Sequence, residues 1–202
     1  MLKRLLVLFL VCGSIIFASE RNTPLPPVTV LIEFDKPHSA RSVAAMERET
    51  MHILQPSGIR LEWQMIADLP PNAEFSDFVV VRFRGSCATD EVPMPMDERG
   101  ILGMSYASDG EVLPFGEVQC DRVKQSMRRV VPASQFRISE DLLGRALGRV
   151  VAHEMYHMLT NDKHHTKDGV TRESLSADDL VLGELLYSGR AADAISRRQA
   201  PK

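Results

Sequence analysis

The five-residue segment His153-Glu154-Met155-Tyr156-His157 holds the residues of this 202-residue chain whose types and spacing most directly offer chemistry. On a helix, positions i and i+4 lie one turn apart on the same face, so the two imidazoles can converge on one metal ion. Zinc takes imidazole nitrogens at about 2.0–2.1 Å and prefers four ligands, of which this pair supplies two. Glu154 follows the first histidine, so it reaches a water on the metal rather than the metal itself. A zinc ion brings the pKa of such a water towards about 7, where a neighbouring carboxylate can take its proton and later hand it to a leaving amine. The plain alternative is two surface histidines beside a glutamate on an ordinary helix.

That chemistry requires a helix, and the flanking residues predict one. Ser139 followed by Glu140 and Asp141 is a capped, acidic helix start. Leu143, Ala146, Leu147, Val150 and Val151 then follow helical spacing, and the helix runs from Leu142 to about Thr160. Gly144 and Gly148, four apart, are expected to let it pack closely against a sheet. Upstream, Val28 to Phe34 reads as a buried strand, and Ser39 caps a helix that continues to Leu54. Ile59 to Met65 alternates apolar and polar like a half-buried strand, and Phe75 to Phe83 is a third strand. Residues 85–100 read as a long surface loop. Ile101 to Ala107, the turn Ser108-Asp109-Gly110 and Leu113 to Cys120 read as a hairpin, followed by a helix over Asp121 to Val131. Ser176 starts a last helix through Leu186, and residues 189–202 read as a flexible basic tail. The order of elements predicts an α+β domain with a mixed β-sheet over residues 28–188.

Composition bounds the answer without reaching function. With 44% hydrophobic and 25% charged residues and a net charge of -3, the chain is neither disordered nor basic enough for a nucleic-acid binder. Residues 1–18 start with Lys3-Arg4 and run apolar from Leu5 to Phe17, which reads as a secretory signal peptide, with an uncleaved anchor as the alternative. Residues 19–27, with three prolines, are an extended lead-in. Cleavage after Ala18 takes two of the 24 basic residues and none of the 27 acids, so the net charge moves to -5. It also removes Cys12 and leaves Cys87 and Cys120, which in an exported protein are most simply one disulfide and otherwise two buried thiols. No later run is long and apolar enough to span a membrane. These readings place the chain outside the cytoplasm, secreted or periplasmic.

The His153–His157 segment resembles the active-site helix of the zincin metallopeptidases, and the preceding elements resemble the N-terminal half of the metzincin branch. The resemblance implies one zinc ion, Glu154 as general base and a peptide or protein substrate lying extended along an edge strand, for which residues 101–107 are the best candidate. Metzincins extend the motif to HExxHxxGxxH, but here Thr160 and Lys163 stand at the glycine and third-histidine positions, and no methionine follows Met158 to form their Met-turn. A turn longer by one or two residues could bring His164 or His165 to the metal. The chain is also similar to exported bacterial proteins with an HELYH-like helix, a histidine twelve after the first and a Gly-Val pair beyond. Gly169-Val170 fits that pattern, which favours His165 as third ligand. The gluzincin branch uses a later glutamate, and Glu173 or Glu184 would be its counterpart. Tyr156 and Tyr187 could assist an oxyanion but read better as packing residues with a wet hydroxyl. The missing glycine and Met-turn leave a second function open: a zinc-binding envelope protein of zincin fold without peptidase activity.

Overall fold

A computed structural model describes residues 26–89, 100–130 and 138–198. Residues 1–18, read above as a signal peptide, most of the lead-in and part of the 85–100 loop lie outside the described residues. Among these residues the sheet has five strands: β1 (Val28–Phe34), β2 (Leu61–Met65), β3 (Phe78–Arg84), β4 (Gly103–Ser108) and β5 (Glu111–Gln119). Their order is β2-β1-β3-β5-β4. The first four of these pair in parallel, while β4 runs antiparallel to β5 at the edge. The α+β mixed-sheet expectation holds at this level.

β1 lies between two parallel neighbours and is buried from Val28 to Ile32, which explains its nearly unbroken apolar run. The β4–β5 hairpin turns at Asp109 and Gly110, both with positive φ (52° and 92°). That backbone matches the right-handed twist of the two strands. Pro114 cannot donate to a ladder, and it falls where the β4–β5 register shifts, between the pairs Ser105↔Gly116 and Ala107↔Val112.

The helices are α1 (Ala40–Leu54), α2 (Cys120–Met127), α3 (Glu140–Thr160), α4 (Ala177–Val181) and α5 (Gly189–Ser196). α1 and α3 pack along each other and share one core with Val30, Ile32, Val79, Val81, Phe83 and Val118 of the sheet. Both carry a serine N-cap: Ser39 accepts from the Ser42 amide and Ser139 from the Leu142 amide. Cys87 and Cys120 form a disulfide with Cα atoms 5.2 Å apart, tying the end of β3 to the start of α2. Among the described residues no helix is long and apolar enough to cross a membrane.

Three expectations change. Gly144 and Gly148 meet α1 rather than the sheet. A Cβ on Gly144 would overlap Ala45 and the Ser42 carbonyl, and one on Gly148 would lie 2.7 Å from the Met46 carbonyl oxygen. The last helix does not reach Leu186: α4 stops at Val181, because the carbonyls of Asp179, Leu182 and Gly183 all turn to the buried guanidinium of Arg149, at 2.6, 2.8 and 2.6 Å. Residues 189–196 are helical instead of frayed. Ala191, Ala192 and Ile195 pack into the core, Ser196 donates to the Ser57 carbonyl at 2.8 Å, and Arg198 pairs with Asp77.

Candidate metal centre

The last two turns of α3 carry His153, Glu154 and His157, with Glu154 and His157 buried. α3 ends at Thr160, and the chain reverses at Asn161, whose φ of 53° is left-handed. Asparagine tolerates that conformation better than most side chains. Its Oδ1 also accepts the Val112 amide at 2.6 Å, fixing the turn to the start of β5. The reversal thus falls one residue later than a glycine at position 160 would place it.

Beyond that turn, one ring nitrogen from each of His153, His157 and His165 lies within 4.8 Å of the others. The Nε2 atoms of His153 and His157 are 3.3 Å apart. His164, next in sequence to His165, points away. Its side chain is 94% exposed and its Nδ1 bonds Asp162 Oδ1 at 2.8 Å. Glu173 lines the cleft beside the histidines but is outside their cluster. Glu184 lies beyond the shortened α4 and pairs with His52 of α1 at 3.1 Å.

The hydrogen bonds around the rings set their chemistry. His153 Nδ1 donates to the Val170 carbonyl at 2.9 Å, and His157 Nδ1 donates to the Asp162 carbonyl at 2.6 Å. A carbonyl only accepts, so the proton of each neutral ring sits on Nδ1 and the Nε2 lone pair is bare. Burial pushes the His153 pKa down to about 4, and it lowers that of His157 as well. Both rings are therefore neutral near pH 7, the form that ligates metal. Neutral imidazoles converging beside an open cleft suit zinc, with a side left for water or substrate.

Glu154 does not join the histidine cluster. Burial pushes its pKa up to about 7, opposed by a hydrogen bond from Ser105 Oγ to Oε2 at 2.7 Å. The cleft has a volume of about 730 Å³ and is walled by Met104 and Val112 of the β4–β5 hairpin, Val150 of α3, and Lys163, Glu173 and Leu175 of the following loop.

Several supporting residues escape a sequence reading. Val170 links the site to the segment between α4 and α5, because its amide donates to the Leu186 carbonyl at 2.9 Å while its own carbonyl holds His153. Gly169 makes that approach possible: φ is +72°, and a Cβ would stand 2.6 Å from the Leu186 carbonyl oxygen. The Gly169-Val170 pair was the available signal for this. Tyr187 donates to the Ala152 carbonyl at 2.6 Å and is buried, and Tyr156 donates to Asp162 Oδ2 at 3.0 Å. Both hydroxyls have protein partners, so they brace α3 and its turn.

No family model and no curated protein matches this chain. Among solved structures it is similar to archaemetzincin from Methanopyrus kandleri, with a TM-score of 0.54 over 85% of this chain and 95% of that one. The identity is 10%, so the likeness is one of fold.

Proposed function

We propose that this chain is a secreted or periplasmic zinc-dependent metallopeptidase. In this reading His153, His157 and His165 hold one zinc ion, and Glu154 is the general base. The observation that carries it is the convergence of three imidazoles, two of them fixed by backbone carbonyls, beside a buried carboxylate in one cleft. The fold shared with archaemetzincin, a protein named as a metzincin, supports the same assignment. The basic, apolar start of the chain supports export.

Zinc in such a ligand set acidifies water and polarises a carbonyl. The chain's own residues do the rest. Glu154, whose burial raises its basicity, takes a proton from the attacking water at its carboxylate and returns it to the departing amine nitrogen. The carbonyls of Val170 and Asp162 hold the two motif histidines in orientation. Among the described residues β4 is the edge strand, and an extended peptide would pair along its outer side at Gly103–Ser108.

The test is zinc content and hydrolysis of a peptide library by the purified chain, against Glu154→Gln. We expect about one zinc per chain, loss of activity with a chelator, and a fall of roughly 10²- to 10⁴-fold in kcat for the variant with zinc retained. Zinc at one equivalent with no hydrolysis would select the alternative, a zinc-binding envelope protein of this fold without peptidase activity. Hydrolysis indifferent to Glu154→Gln would overturn the assignment.

A further inference from the structure

Gly103 and Ser105 of β4 lie on the sheet face that carries α3, and both meet Glu154 there. Ser105 Oγ donates to Glu154 Oε2 at 2.7 Å and lies 3.2 Å from the backbone carbonyl oxygen of the same residue. The other carboxylate oxygen sits over Gly103. A Cβ on that glycine would stand 2.8 Å from Glu154 Oε1 and 2.8 Å from Val150 Cγ1. One oxygen is thus held by a hydroxyl, and the other has space because a side chain is missing.

We infer that Ser105 is a positioning residue for the Glu154 carboxylate, with Gly103 giving that carboxylate its room. The functional consequence rests on the base role proposed above for Glu154. A glutamate side chain has three rotatable bonds, and a buried carboxylate without a donor bears a desolvation cost. A serine hydroxyl meets both needs. It fixes the rotamer, and being neutral it leaves the carboxylate more basic than a lysine or arginine partner would. β4 belongs to the sheet edge where a peptide could pair, so one strand would carry both the substrate template and the hydroxyl that aims the base. Misaiming of a reacting group by about 1 Å costs up to roughly 10²-fold in rate.

The experiment compares the full chain with Ser105→Ala and Gly103→Ala. Each is assayed for kcat and KM, zinc content, thermal midpoint and the ¹³C shift of the Glu154 carboxyl at one fixed pH, assigned with Glu154→Gln. For Ser105→Ala we expect kcat to fall roughly 10- to 100-fold with KM within about twofold, zinc content and thermal midpoint retained, and the Glu154 carboxyl resonance displaced. Gly103→Ala should displace the same resonance by crowding Oε1. An unmoved Glu154 resonance in Ser105→Ala overturns the inference, whether or not hydrolysis is found. So does an unchanged kcat in a chain whose hydrolysis depends on Glu154. A wild-type chain that binds zinc but hydrolyses nothing would sink the peptidase reading alone, and the carboxyl resonance would still decide the positioning contact.

Discussion

From Gly144 to Arg149, α3 faces α1 and the Asp179–Gly183 segment; from His153 to His157 the same helix faces the cleft. The first stretch buries the Arg149 guanidinium, pairs its Nε with the half-buried Glu49 Oε1 at 2.7 Å, and directs every other Arg149 hydrogen bond described above to a backbone carbonyl. The second stretch buries a carboxylate with one neutral donor and turns imidazole lone pairs toward one another. Satisfied polar groups stabilise, whereas polar groups left with spare capacity suit chemistry. The packing half and the chemical half should therefore answer substitutions in opposite ways.

The largest stability effect belongs to Arg149→Met, which leaves the half-buried Glu49 with only Arg145 at 4.0 Å and strips the donor from the three carbonyls that end α4. We expect a loss of about 3–5 kcal/mol in urea unfolding. Next is Gly144→Val, which forces α1 away from α3 and should cost about 1–3 kcal/mol by the same measurement. Asn161→Ala places a side chain with no acceptor at a left-handed φ and removes the exposed hydrogen bond to the Val112 amide; we expect about 1–2 kcal/mol, with Asn161→Gly costing less. Glu154→Gln should be the smallest, with a thermal midpoint close to that of wild type, because the buried site already disfavours the carboxylate charge. A strongly destabilised Glu154→Gln, or an Arg149→Met that only lowers activity, would break the division between the two halves.

Much of the chemical half was legible beforehand because its information is local. The i, i+4 histidines, the Ser139 cap and the Asp109-Gly110 turn each depend on a few neighbouring residues. His165 was reachable through its spacing from His153 and through Gly169-Val170, although sequence alone kept His164, Glu173 and Glu184 open beside it. The packing half was harder to read. Gly144 and Gly148 announce a close approach but not whose backbone approaches, and α1 lies about a hundred residues away in sequence. The early end of α4 follows from Arg149, some 30 residues upstream, and a capping serine with helical residues after it carries no sign of that. α5 was read as a frayed tail because Ala191, Ala192 and Ile195 form too small an apolar face to stand out until the core that receives them is known. Ser105 and Glu154 are 49 residues apart on different elements, and neither residue names the other.

The central claim is that three particular histidines hold the metal, and zinc titration of the apo chain tests it most directly. Wild type and His164→Ala should bind one equivalent with similar affinity, while His165→Ala and His153→Ala should each lose at least roughly 10²-fold. If His164→Ala abolished binding while His165→Ala retained it, or if wild type bound no zinc, the centre described here would be wrong.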